Sequence, residues 1–94
     1  MTNKIRVFKQ ATAIITGGAS GIGRTMALEL VSRGCTVVLA DRQITVAEEL
    51  AASIVASGGS AWARELDVCD YPAFQALVDE TVAKTGRLDY LFNN

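Results

Sequence analysis

The chain contains no histidine, which excludes a histidine-based catalytic triad and any zinc site that relies on imidazole. Its two cysteines, Cys35 and Cys69, have no CxxC partner and no metal-ligand spacing. A secreted domain this small ordinarily carries several disulfides, so isolated thiols point to a reducing compartment, and the cytoplasm is the expected location. No apolar run approaches the roughly 18 residues of a membrane span. The segment from Met1 to Lys9 is basic at Lys4, Arg6 and Lys9 with no apolar stretch behind it, so neither a signal peptide nor a membrane span is expected. An excess of one charge is missing too. Nine Lys and Arg against 10 Asp and Glu leave a net charge of −1, which argues against nucleic acid or an anionic membrane surface as a partner. There is no linker, repeat, low-complexity tract or block of like charge.

What is present describes one small globule. Half of the 94 residues are hydrophobic and a fifth are charged, a balance that disordered and fibrous chains do not have. A chain of this size hides only about 60–65 % of its unfolded surface, enough for one modest core. Residues 1–94 are therefore read as a single domain.

Strand and helix patterns alternate along it. Ala11 to Thr16 is a short, β-branched apolar run broken at Gly17, which fits a buried strand. From Gly21 to Arg33, Ile22, Met26 and Leu30 recur every four positions beside Ala27 and Val31, as on one helix face, and Gly34 supplies a left-handed stop. Thr36 to Ala40 is a second buried strand, ended by Asp41. A second helix runs from Ile44 to Ser57, with Ile44, Ala47, Ala51, Ile54 and Val55 on one face and Gly58-Gly59 closing it. Ala61 to Leu66 is a weaker third strand. Asp70 is an N-cap and Pro72 sits in the first turn of a third helix reaching Thr85, with Phe74, Leu77, Val78, Thr81 and Val82 as its apolar face. Gly86 ends it, and Leu88 to Phe92 is a fourth strand. The order βαβαβαβ with continuous apolar strands implies an α/β fold with helices covering a parallel sheet. The right-handed crossover rule then favours strand order 3-2-1-4, half of a doubly wound, Rossmann-type sheet. The first two helices should cover one face and the third the other. The fourth strand would be an unpaired edge that invites association, so a homo-oligomer is expected.

Four of the eight glycines, Gly17, Gly18, Gly21 and Gly23, fall where the first strand passes into the first helix. A strand that turns straight into a helix presents unpaired N–H groups and the positive end of the helix dipole, which suits a pyrophosphate. Gly17 permits the turn, Gly21 lets the backbone approach the phosphates, and Gly23 lets the helix pack closely. Ser20 adds a hydroxyl, and the Ile22 N–H points at the same place. Asp41 stands at the end of the second strand, where a carboxylate would accept hydrogen bonds from ribose hydroxyls; capping a turn is the other role open to it. Asp67-Val68 follows the third strand at the same edge of the sheet, beside an adenine or as a plain turn. Arg42 reads as solvated surface, with a ribose phosphate as the other partner open to it.

The sequence Thr16–Gly23, TGGASGIG, resembles the TGxxxGxG signature of classical short-chain dehydrogenases/reductases. Leu39–Arg42 (LADR), Asp67-Val68 and Leu88–Asn94 (LDYLFNN) are similar to the family's matching segments in the same order, so the resemblance covers about Phe8 to Asn94. It implies an oxidoreductase that moves hydride between NAD and a small alcohol or carbonyl substrate. By that resemblance Gly17, Gly18, Ala19, Ser20, Gly21, Ile22 and Gly23 serve the pyrophosphate and Asp41 the adenosine ribose. Asp67 and Val68 go to the adenine, and the region of Asn94 to the ribose and the central sheet. Thr16 matches the threonine that ties the glycine turn to the neighbouring strand. An acidic Asp41, with Ala19 and Ser20 where a basic residue would meet an extra phosphate, favours NAD over NADP. The family's catalytic serine and Tyr-x-x-x-Lys pair lie beyond Asn94. Here Tyr71 is followed four residues on by Gln75, and Tyr90 by Asn94, so these 94 residues alone are expected to be inactive and no catalytic residue is assigned among them.

Two rival readings remain at this stage. One is a non-catalytic nucleotide-binding or interaction module. The other, a methyltransferase-like domain, needs an acidic residue just ahead of the glycine loop, where this chain has Ile15-Thr16.

Overall fold

The computed structural model describes residues 8–94; the basic positions Lys4 and Arg6 lie outside them. Three helices alternate with four parallel strands: β1 (Thr12–Thr16), α1 (Gly21–Ser32), β2 (Thr36–Asp41), α2 (Ile44–Ala56), β3 (Ala61–Glu65), α3 (Tyr71–Thr85) and β4 (Tyr90–Asn93). The sheet order is β3-β2-β1-β4, as expected for half of a doubly wound sheet. β1 is one of the two inner strands and all five of its residues are buried. Its register sets Ile14 between Val38 and Leu91, and Thr16 between Ala40 and Asn93.

The period-two alternation of strand side chains divides the core into two layers. Ala13, Ile15, Val37 and Leu39 point to one face, where they pack with Ala27 and Leu30 of α1 and with Ala47, Leu50, Ala51 and Ile54 of α2. Ile14, Val38 and Ala40 point to the other, against Leu66 and Leu77, with Phe74, Val78, Trp62 and Leu88 around them. Burying each large aliphatic side chain contributes about 1.5–3 kcal/mol, so the thinner second layer, covered by α3 alone, is the weaker half. No helix among the described residues is long and apolar enough to cross a membrane.

Turn chemistry fixes the joints. Asp70 caps α3 by accepting the Ala73 N–H at 3.1 Å, and Pro72 follows in the first turn. Gly34 and Gly86 take the left-handed conformation, at φ +89° and +83°, where any other residue would be strained.

Helix faces differ in detail from the periodic reading. Ile22, expected inward, is 72 % exposed, and the buried face of α1 is Gly23, Ala27 and Leu30. The helix lies close to the sheet because two of those residues are small, and that rotates the larger Ile22 out of the contact. Likewise Val55 of α2 and Val82 of α3 face solvent, and Leu50 takes the buried position on α2. β4 starts at Tyr90 rather than Leu88, since Leu88 packs under α3 and Asp89 is occupied before the strand begins. The Asp89 carboxylate accepts the Thr12 N–H at 2.8 Å and pairs with Arg87 at 2.7 Å.

That bond from Arg87, and then the Thr12 N–H, hold the Asp89 carboxyl below the usual carboxylate range. A depressed pKa stabilises the fold fully above the unfolded value of about 3.9 and ceases to do so as pH falls through the folded value. Asp89→Asn should therefore lower the thermal midpoint near neutral pH, and the difference from wild type should close as pH falls below about 4. A gap that persists unchanged into acid would contradict the pairing. Burial, with Asp89 nearby, pushes the Cys35 thiol up to about 11, whereas Cys69 is exposed. Alkylation of the native protein near pH 8 should mark Cys69 and spare Cys35 until the fold is denatured, because the thiolate is the reactive form.

Candidate cofactor site

The site forms where β1 leaves the sheet. Thr16 is 1 % exposed, so its hydroxyl has to be satisfied internally. It donates to Asn93 Oδ1 at 2.8 Å and accepts the Asn94 N–H at 3.0 Å. The Gly17 N–H continues the ladder to the Ala40 carbonyl at 2.8 Å, and Asn94 Nδ2 donates to the Gly17 carbonyl at 3.2 Å. Gly17 then turns at φ +65°. Thr16 thus ties the turn to β4, as the resemblance implied.

The first half of the loop is held down and the second half is open. Gly18 and Ala19 are buried, and the Ala19 N–H donates to Asp41 Oδ2 at 3.1 Å. Ser20, Gly21 and Ile22 are exposed. Ser20 is the N-cap residue of α1 but makes no side-chain cap bond, and the first turn holds no acidic residue. The N–H groups that every helix leaves unpaired at its start therefore have no capping side chain from Ser20. A Cβ at Gly21 would meet nothing within 4 Å, so an anion has open access to this backbone. Gly23 has no such latitude: a Cβ there would fall on the Gly17 carbonyl oxygen and lie 2.9 Å from Asn94 Nδ2.

Beside the turn is a cavity of about 270 Å³ at the carboxyl ends of the strands, lined by Thr16, Gly17, Ala40, Asp41, Arg42, Gln43, Leu66, Val68 and Asn94. Its lining combines the apolar Ala40, Leu66 and Val68 with the Asp41 carboxylate, which suits a flat heteroaromatic ring with a diol attached. Asp41 Oδ1 also accepts the Gln43 N–H at 2.9 Å, so the turn role and a ligand role are both open to this side chain. Arg42 is exposed and takes no part in the three ion pairs among the described residues. Asp67 does not line the cavity; its carboxylate accepts the Cys69 N–H at 2.9 Å and closes a turn, in which the exposed Val68 borders the cavity. Ala40, Gln43 and Leu66 were not singled out from the sequence. Their contribution is shape, and an apolar wall residue is spelled no differently from a core residue.

A larger concavity of about 910 Å³ runs along α1 and β4, walled by Phe8, Ile22, Met26, Leu30 and Phe92. Its remaining lining is Gly21, Thr25 and the paired Glu29 and Arg33.

A parallel α/β sheet with a glycine turn at the start of its first helix, and a carboxylate at the end of the next strand, is the arrangement common to dinucleotide-binding domains. The sequence pattern of the short chain dehydrogenase family matches residues 11–94, and the chain belongs to that family of oxidoreductases, whose members use nicotinamide dinucleotides. It is 37 % identical over 94 residues to a cyclohexanol dehydrogenase of Acinetobacter sp. (strain SE19), covering 100 % of this chain and 36 % of the relative. It is 48 % identical over 82 residues to tropinone reductase-like 2 of Erythroxylum coca, covering 87 % and 29 %. The solved hydroxysteroid dehydrogenase from Escherichia coli superposes with a TM-score of 0.90 at 32 % identity, covering 98 % of this chain and 40 % of that one. The chain thus spans about a third of the length of the curated relatives it matches.

Gly23→Ala should lower the thermal midpoint, since overpacking typically costs about 1–3 kcal/mol, and should weaken cofactor binding. An unchanged midpoint and affinity would show that the Gly17–Asn94 contact does not define the turn.

Proposed function

We infer that the protein is an NAD-dependent oxidoreductase acting on a small alcohol or carbonyl compound, and that the described residues hold its dinucleotide. The observation that carries this reading is the Asp41 carboxylate lining the cavity beside the open glycine turn. The family establishes the nicotinamide dinucleotide class; the choice of NAD rests on Asp41. When bound, the cofactor supplies the hydride acceptor. The residues of this chain bind and orient it: the backbone from Gly17 to Gly23, with Ser20, takes the pyrophosphate, and Asp41 takes the adenosine ribose. Val68 and Leu66 flank the adenine, with Asp67 shaping that loop, and Asn94 closes the cavity against the turn. Proton transfer is assigned to none of them, because neither Tyr71 nor Tyr90 has a lysine one helical turn on. The reading also places the protein in the cytoplasm, as a homo-oligomer.

Hydrogen bonds from both ribose hydroxyls to a carboxylate are charge-assisted, worth about 1.5–3 kcal/mol. A 2′-phosphate about 4 Å from that carboxylate is repelled by up to about 4 kcal/mol at an effective dielectric near 20, less what solvent screening and Arg42 remove. The test is a titration of NAD and NADP against the full-length protein. NAD should bind at least about tenfold tighter, equivalent to about 1.4 kcal/mol, and Asp41→Ala should shrink or invert the preference. Equal affinities that Asp41→Ala leaves unchanged would reduce Asp41 to a turn residue.

A further inference from the structure

The carboxylate assigned to the ribose already has a second task. Asp41 Oδ2 accepts the N–H of Ala19, 22 residues earlier in the chain and inside the glycine turn. Its other oxygen accepts the Gln43 N–H. Ala19 is 3 % exposed, and Gly18 beside it is wedged so closely that an added Cβ would stand 3.0 Å from Leu39 and 3.1 Å from the Ile15 carbonyl. The loop is therefore fastened to β2 at two adjacent residues, one by packing and one by a charge-assisted hydrogen bond. Ser20 and Gly21, immediately after this anchor, begin the exposed stretch that opens α1 with no cap bond of its own.

We propose that Asp41 is a positioning residue for the phosphate-binding turn as well as a ribose ligand. Through Ala19 it holds the backbone that precedes the first turn of α1, so the ribose and pyrophosphate subsites form one mechanical unit. This deepens the reading of the cavity as a dinucleotide site and rests on it. It also adds to the discrimination against NADP. A carboxylate that swung away from a 2′-phosphate would release the Ala19 N–H, so the side chain cannot evade the added charge without loosening the turn.

The two roles separate with a ligand that has no ribose hydroxyls. In 2′,3′-dideoxy-ADP the pyrophosphate remains and the groups that Asp41 would accept from are gone. Asp41→Asn is the informative variant. Its single amide oxygen still accepts the Gln43 N–H as asparagine does in such turns, while its NH2 group cannot accept the Ala19 N–H. Asp41→Ala removes both acceptors. The experiment measures the affinity of full-length wild type and both variants for NAD, ADP and 2′,3′-dideoxy-ADP, alongside amide hydrogen exchange of the ligand-free proteins. In Asp41→Asn the dideoxy ligand should bind about five- to tenfold more weakly, up to about 1.4 kcal/mol. Exchange should quicken at Ala19 and into Ser20–Gly23, with the Gln43 amide unchanged. That local split is one a general loss of stability would not produce. An unchanged dideoxy-ADP affinity beside a weakened NAD affinity would overturn the proposal and leave Asp41 as a ribose ligand only. Unchanged exchange at Ala19 in Asp41→Asn would overturn it whatever the ligands do. Failure of the wild type to bind NAD or ADP would overturn the cofactor reading and this proposal with it.

Discussion

The hydroxyl of Thr16 is the point on which the architecture turns. It lies at the end of a fully buried strand with 1 % of its surface exposed, in surroundings where an unpaired polar group would cost about 1–3 kcal/mol. It is satisfied from β4, by Asn93 Oδ1 and the Asn94 N–H. One side chain thereby decides where β1 stops, how β4 is aligned against it, and where the chain is free to turn. Gly17 can take a left-handed conformation immediately afterwards because its own N–H and carbonyl are held by Ala40 and Asn94.

From that fixed point the rest of the site follows by distance. α1 comes close to the sheet because Gly23 and Ala27 present almost no side chain to it, so the turn joining β1 to α1 must be tight. A tight turn brings the start of the helix over the carboxyl ends of β1 and β2, within reach of Asp41. The same compactness displaces Ile22 outward to 72 % exposure and leaves the first helical N–H groups without a capping side chain. An anion-binding helix end and a carboxylate thus come to share one short edge of the sheet. That pairing suits a molecule with phosphates at its centre and a diol-bearing sugar at one end.

Most of the fold was legible in the sequence, because each element carries a local signature. Glycine stops at Gly34 and Gly86, the Asp70 cap and the unbroken apolar strands place the elements within a few residues, and the crossover rule favours the sheet order. Helix faces were less legible. Periodicity weights large apolar residues such as Ile22 and Val55, whereas close packing on a sheet is set by small ones such as Gly23 and Ala27. In the candidate site, the glycine turn and Asp41 could be read because residue type and spacing express them, and the Thr16 tie because its motif resembles the family's. The bond between Asp41 and the Ala19 N–H could not, since a backbone donor leaves no trace in residue identity. Nor could the walls at Ala40 and Leu66, which are apolar residues like those of the core.

The central claim is that the glycine turn and Asp41 together receive one end of NAD. A crystal structure of the full-length protein with NAD bound tests it most directly. The expected result has the pyrophosphate against the N–H groups of Gly21 to Gly23 and both adenosine ribose hydroxyls on the Asp41 carboxylate. The adenine should lie between Leu66 and Val68, with the Ala19 N–H still bonded to Asp41. A dinucleotide bound with its phosphates away from the start of α1, or its ribose out of reach of Asp41, would contradict the account.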